Sequence, residues 1–272
     1  MKEAHMDVTG KVIVITGGSG VLGGAMAAHL IQQGAKMVIM GFREESVLAK
    51  LKELAVFGGD PLGLAVDVMD ENQLKVARKQ ILDRWGRIDV LINAAGGNLR
   101  GATISDDQTI FDLEIKDLKS ALDLNLMGSI LPTLVFGKAM TEQKHGSIIN
   151  ISSMAAQQMI TRVFGYSLAK AGIDMLTKWM AAEFAMKFGD GVRVNAIAPG
   201  FFLGNQNRHL LVNEDGSYTS RGKKIIKNTP MARFGNIDEL NGIVQYLASD
   251  ASSFTTGAVI PVDGGFQIFS GV

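Results

Sequence analysis

Short, nearly continuous apolar runs recur along the chain at 11–16 (KVIVIT), 36–41 (KMVIMG), 62–66, 88–93 (IDVLIN), 146–153 (GSIINISS), 191–197 and 257–262. Runs of that length without alternation suit strands of a parallel sheet that is covered on both faces. Between them the apolar positions switch to helical spacing: at 25–33, 70–84, two helices within 106–145, one beginning near 166 and one at 236–249. Strands alternating with helices predict an α/β fold. The stretch 201–230 is long, mixed and polar, and reads as a lid.

Small residues gather where the strands end. Thr16-Gly17-Gly18-Ser19-Gly20-Val21-Leu22-Gly23 follows the first run and leads into a helix, the order a dinucleotide-binding turn requires. Its backbone can approach a phosphate, and the helix start offers free N–H groups and a positive dipole end, although many turns use glycine for φ alone. The second run ends in Gly41, where an acidic residue would grip the adenosine ribose of NAD. With Phe42 and Arg43 next, no carboxylate opposes a 2′-phosphate and Arg43 can pair with one. This leans towards NADP(H), with NAD(H) open. Arg43 can equally well just start the charged, solvated helix that holds Glu44, Glu45, Lys50, Lys52 and Glu53.

Asp67-Val68 ends the third run, where Asp67 either accepts from the adenine amino group or caps a turn. Asn93-Ala94-Ala95-Gly96-Gly97 ends the fourth, Ala198-Pro199-Gly200 the sixth and Asp263-Gly264-Gly265 the last. In an open parallel sheet, ligands lie outside the carboxyl ends of the strands. The candidate cofactor contacts at these strand ends are Gly17, Ser19, Gly20, Val21, Leu22, Gly41, Arg43, Asp67, Val68, Asn93, Ala94, Gly96, Pro199 and Gly200.

The fifth run delivers Ser152 and Ser153 to the same edge, and thirteen positions after Ser153 stands Tyr166, followed four later by Lys170. On a helix, residues four apart stack on one face and can act on the same atom. A phenol, unperturbed near a pKa of about 10, is a poor base at neutral pH unless a cation stabilises the phenolate, and Lys170 is placed to be that cation. Asn125 lies among Leu122, Leu124, Leu126 and Met127, so it needs buried partners, structural or catalytic.

Composition narrows the function classes. A chain of 272 residues, 47% hydrophobic and 20% charged, suits one domain with a large core. Lys+Arg and Asp+Glu both number 27, so no charge excess recommends nucleic acid or an anionic membrane. With no cysteine there is no disulfide or thiolate site, and four scattered histidines suggest no metal. No leader and no apolar run of spanning length is evident, which predicts a cytoplasmic protein. The apolar tail Phe266-Gln267-Ile268-Phe269 is expected to be covered by another subunit or by its own chain.

Taken in order, the TGxxxxxG turn, Asn-Ala-Ala-Gly, Asn125, Ser153, Tyr166-x-x-x-Lys170, Pro199-Gly200 and the C-terminal Asp-Gly-Gly resemble the short-chain dehydrogenase/reductase family over nearly the whole chain. The resemblance implies a doubly wound, seven-stranded parallel sheet of the Rossmann type, an NAD(P)-dependent enzyme and, commonly, a homotetramer. By position, Tyr166 would be the acid/base, Lys170 would lower its pKa, and both would contact the cofactor, Lys170 at the nicotinamide ribose. Ser153 would orient the substrate oxygen and Asn125 would position a relay water. Two places depart from the family's pattern: Val21 stands where Gly or Ala is frequent, and Gly204 where a Thr often touches the nicotinamide amide.

Within the family, TGGSGVLGGA, NAAGGN, APGFFLGNQNR, LLVNEDGSYTSRGKKI, TPMARFG and PVDGGFQIFSGV are most similar to the fructuronate reductase, or D-mannonate oxidoreductase, group. A sugar acid needs a cation for its carboxylate and polar groups for its hydroxyls. The candidates are Asn98, Arg100, Arg162, Asn207 and Arg208, with Arg162 or Arg208 expected on the carboxylate. Gluconate 5-dehydrogenase or another sugar ketone reductase is the alternative, and a non-catalytic dinucleotide sensor a remote one.

Overall fold

In the computed structural model, which describes residues 6–204 and 208–271, seven parallel strands form one sheet in the order β3-β2-β1-β4-β5-β6-β7. The strands are β1 (Val12–Thr16), β2 (Lys36–Gly41), β3 (Leu62–Ala65), β4 (Val90–Asn93), β5 (Gly146–Ile151), β6 (Val192–Pro199) and β7 (Val259–Val262). The order reverses between β1 and β4, so the loops that follow these two strands diverge to opposite sides and open a crevice.

Alternation along the strands feeds two cores. Ile13 and Ile15 of β1 pack under α1 (Val21–Gln32), α2 (Glu44–Leu54) and α9 (Asn241–Ala248), with Met26, Leu30, Leu54, Val244 and Leu247. Val12 and Val14 face the other way, towards α3 (Glu71–Trp85), α5 (Gly128–Gln143) and α6 (Phe164–Phe188), with Leu74, Ile81, Phe136, Met140 and Phe184. Both faces of β1 are dry, as the continuous apolar run requires, and each fully buried aliphatic side chain contributes about 1.5–3 kcal/mol. The doubly wound architecture expected from the sequence is present.

The stretch 106–145 departs from the two helices expected there. Residues up to 114 form turns and one 3-10 turn (Ile110–Asp112), because the Asp112 carboxylate accepts from the Thr109 amide and hydroxyl and holds the chain in a local box. α4 (Ile115–Leu122) then runs into α5 through a π-helical turn, Asp123–Met127. The Asn125 amide donates to the Ala121 carbonyl at 2.9 Å, and a side chain inserted into the helix ladder in this way accompanies the extra residue in the turn. The continuous helix Ile115–Gln143 has 29 residues and is long and apolar enough to cross a membrane, contrary to the sequence expectation; half of its most apolar window is buried within the fold. The helix expected at 236–249 begins as a 3-10 turn, Ile237–Leu240.

The segment 201–230 carries α7 (Arg208–Leu211) and α8 (Ser220–Lys227) over a small core of Leu211, Val212, Ile225 and Phe234. In the tail, Phe266 packs edge-on against Phe201 with ring centroids 5.1 Å apart, and Gln158 donates to the Gln267 carbonyl. Ile268 stays 85% exposed, so within this chain the apolar tail is covered only in part.

A buried polar seam ties the two halves of the sheet to the helices. The Asn93 side-chain amide donates to the Thr133 hydroxyl at 2.9 Å and to the Asn150 side-chain oxygen Oδ1 at 2.8 Å, and the Asn150 side-chain amide donates to the Thr177 hydroxyl at 2.9 Å. Replacing Asn93 by Ala strands two buried acceptors, and is expected to cost about 1–3 kcal/mol in urea unfolding while changing dinucleotide affinity little. An undiminished unfolding free energy would refute the structural role of this side chain.

Candidate active site

The phosphate-type turn is built by close packing. Gly17, at φ +66°, lies so near the loop after β4 that a Cβ there would sit 2.6 Å from the Ala94 carbonyl oxygen, and a Cβ at Gly23 would sit 2.4 Å from the Gly17 oxygen. Thr16, quoted in the sequence motif but not taken as a site residue, locks the two loops: its hydroxyl accepts from the Ala94 and Ala95 amides at 3.2 Å each. α1 starts at Gly20 with no side-chain cap and no acidic residue in its first turn. Its leading N–H groups and dipole are therefore available to an anion, and the glycines leave room for one. These residues fit the diphosphate of a dinucleotide.

At the adenosine side, a Cβ at Gly41 would lie 2.6 Å from the Ser19 hydroxyl and 2.9 Å from Val47, so an acidic side chain there would force both to move. Arg43 is exposed at the N-cap of α2. Asp67 accepts from the Met69 amide at 2.9 Å, the turn-capping alternative, and Val68 is buried. Asn93 belongs to the buried seam, which leaves its backbone at the strand end. Gly200, after Pro199, donates to the Val262 carbonyl at 2.9 Å, and a Cβ there would meet Asp263 at 2.6 Å. The two departures from the family pattern face each other: a Cβ at Gly204 would come within 3.0 Å of Val21.

Ser153, Tyr166, Lys170 and Asn125 come together at the carboxyl ends of β4 and β5. Tyr166 and Lys170 sit in the first two turns of α6, with the Lys170 Nζ 5.5 Å from the centre of the tyrosine ring. Burial pushes the Tyr166 phenol up, and a hydrogen bond between its hydroxyl and that of Ser153 pulls it back. Ser153 also accepts from the Ala155 amide at 3.1 Å, which orients its oxygen. Lys170 is 4% exposed and donates to the Ile151 carbonyl at 2.6 Å. Burial pushes its ammonium down to about 8, and the carboxylate of Asp174 opposes the shift.

Asp174 was missed in the sequence, although it continues the Tyr166–Lys170 spacing by one more turn. It is held by the Ser152 hydroxyl and, at 3.0 Å, by the Gln157 amide. Asn125 is fully buried and braces the glycine loop: its oxygen accepts from the Gly97 amide at 2.8 Å and its amide donates to the Gly97 and Ala121 carbonyls. A Cβ at Gly96 would fall 2.6 Å from the Asn125 oxygen and 3.8 Å from the Lys170 Nζ, so only glycine brings the loop over the lysine without a clash.

Beside these groups lies a cleft of about 290 Å³, lined by Asn98, Ser153, Tyr166, Leu210, Leu211 and Arg221 among others. Of the residues expected to meet substrate, Asn98 lines it. Arg100 and Arg208 are exposed and do not line it: Arg100 opens a 3-10 turn that contributes no lining residue, and α7 gives the cleft Leu210 and Leu211 instead. Arg162 does not line it either, and its Nε donates to the Ile104 carbonyl at 3.1 Å. Asn207 lies outside the described residues. Arg221 was missed, since a segment without periodicity gives no sign of which residue points inward.

A sequence profile described as enoyl-(acyl carrier protein) reductase matches residues 8–267. An uncharacterized oxidoreductase of Bacillus subtilis, UxuB, is 44% identical over the full length of both chains. A solved structure from Haemophilus influenza with bound NAD, provisionally named a D-mannonate oxidoreductase, is 39% identical, covers 98% of each chain and superposes with a TM-score of 0.91. A 2-dehydro-3-deoxy-D-gluconate 5-dehydrogenase of Formosa agariphila is 34% identical, over 95% of this chain and 93% of its own. The chain belongs to the short-chain dehydrogenase/reductase family and is a nicotinamide-dependent oxidoreductase.

The buried lysine makes a stability prediction with a definite sign. A lowering from 10.5 to about 8 corresponds to roughly 3 kcal/mol held against folding at neutral pH. Between those two values the unfolded chain binds more protons than the folded one, so this contribution improves as pH rises through that window and is at its worst below it. Lys170→Met is therefore expected to keep or raise Tm at pH 7, with a smaller gain above about pH 10, while turnover falls at least about 100-fold. A Tm that drops at pH 7 would overturn this account.

Proposed function

We propose that the protein interconverts a sugar-acid ketone and its alcohol, with D-fructuronate and D-mannonate as the pair. The observation that carries the chemistry is the convergence of the Ser153 and Tyr166 hydroxyls on one cleft, with the Lys170 ammonium beside the phenol. The names carried by the Haemophilus and Formosa relatives support the substrate class.

A bound nicotinamide supplies or accepts the hydride. This chain's part is to hold the substrate oxygen and to move its proton. In reduction, Tyr166 gives its proton to the carbonyl oxygen while Ser153 donates a hydrogen bond to the same oxygen. The Lys170 charge then stabilises the phenolate left behind. Asn125, with both amide hydrogens already given to carbonyls, acts by holding Gly97 in place. A relay water near it would rely on the remaining lone pair of its oxygen or on the main chain. The segment 201–230 is the lid of a single catalytic domain, and the working form is a cytoplasmic homotetramer.

Turnover of D-fructuronate above that of 5-ketogluconate and neutral ketoses is the expected outcome of a substrate screen. Preference for 5-ketogluconate would favour the gluconate dehydrogenase alternative. Tyr166→Phe is expected to lose about 100- to 10,000-fold in kcat while binding the dinucleotide normally. Retained turnover would remove Tyr166 from its role.

The adenosine end draws on opposing indications. Gly41 leaves no room for a carboxylate and Arg43 stands at the rim, which favours NADP(H), whereas the Haemophilus relative holds NAD. We expect a modest preference for NADPH in kcat/KM, and a fall of about tenfold for NADPH alone in Arg43→Ala. A strong NADH preference in the unmodified enzyme would overturn this lean.

A further inference from the structure

We infer that Arg221, backed by Arg162, is the pole of the cleft that binds the substrate carboxylate. This rests on the sugar-acid reading above and assigns the charge to a residue outside the sequence candidates. Arg221 lines the same cleft as Ser153 and Tyr166, whose other walls include Met154, Ile160, Leu210 and Leu211. It is partly buried, yet among the described residues its guanidinium has no hydrogen bond or ion pair. The charge acting most strongly on it is the like charge of Arg162, and the opposing Asp106 lies on an exposed loop. A partly desolvated cation facing another cation costs stability unless an anion joins them, and Arg221 shares its cleft with the Ser153 and Tyr166 side chains.

The geometry around both arginines is fixed. Thr219 caps α8, accepting from the Gly222 amide at 3.1 Å and donating to the Leu210 carbonyl at 2.8 Å. A Cβ at Gly222 would lie 2.3 Å from the Leu211 carbonyl oxygen, so the start of α8, which carries Arg221, packs tightly on α7. Arg162 adopts φ +78°, a left-handed conformation rare for a residue with a side chain. It is held there by Ile104, whose amide donates to the Arg162 carbonyl at 2.9 Å and whose carbonyl accepts from Nε. Strain of this kind persists where the surroundings over-determine it, and Arg162 is the charged group acting most strongly on Arg221. Two planar forks suit a carboxylate, which accepts two parallel N–H bonds.

The test compares D-fructuronate with D-fructose, its neutral counterpart, in the unmodified enzyme and in Arg221→Met, Arg221→Lys and Arg162→Met. Titration of the dinucleotide serves as the folding control. Arg221→Met is expected to raise KM for fructuronate by about 10- to 100-fold and to shrink the preference for fructuronate over fructose by a similar factor. Arg221→Lys should recover part of that loss, and Arg162→Met should show a smaller rise. D-Mannonate should raise the Tm of the unmodified enzyme with NAD(P) bound, but not that of Arg221→Met. If the enzyme favours the acid and Arg221→Met favours it equally, this inference fails while the proposed function stands. If the unmodified enzyme is indifferent to the carboxylate, both fail.

Discussion

The contact between the loops that follow β1 and β4 sets the position of everything at the carboxyl edge of the sheet. Gly17 touches the Ala94 carbonyl, Gly23 touches Gly17, and the Thr16 hydroxyl holds the next two amides of the β4 loop. One glycine turn thus shapes the uncapped start of α1 on one side and aims the Gly96-Gly97 segment on the other. That segment meets Asn125, and Asn125 is presented by a helix that has taken up an extra residue in one turn. A displacement at Gly17 would be passed to Asn125, because the links between them are close contacts, hydrogen bonds and a short run of main chain.

Lys170 shows what this rigidity is used for. A buried ammonium with a single short bond to a carbonyl is expensive, and the fold supports it with Asp174, which is itself held by Ser152 and Gln157. The chain of dependence runs from the fifth strand, through the 3-10 turn after it, into α6. Stability is given up at the point where a charge is needed next to a phenol, as expected when local structure yields to chemistry.

The strands were legible because a sheet buried on both faces demands unbroken apolar runs, and β1, β2 and β4 have them. Tyr166 and Lys170 were legible because helical spacing alone puts them on one face, and the strand-end motifs gave that pairing a context. The π-turn was not, since Asn125 sits in a leucine-rich stretch where the apolar pattern is the same with or without an added residue. Arg221 and the exposed position of Arg208 were hidden for a related reason: on short helices of an irregular segment, orientation is set by contacts such as Gly222 on Leu211, which leave no period in the sequence. Asn93 was legible as a strand-end residue, but the direction of its side chain depends on Thr133 and Asn150, far away in the chain.

Val21 and Gly204 lie 183 positions apart in sequence and occupy one small volume, with the valine methyl filling the space that a side chain at 204 would need. The fitness of either residue is therefore conditional on the other. An evolutionary path from a family member with a small residue in the turn and a threonine at the place of Gly204 has to pass through a crowded or an underpacked intermediate, depending on which change comes first. Grafting the segment around position 204 from such a relative onto this chain is a two-site operation, and a survey of single substitutions would miss the combination that restores the fit.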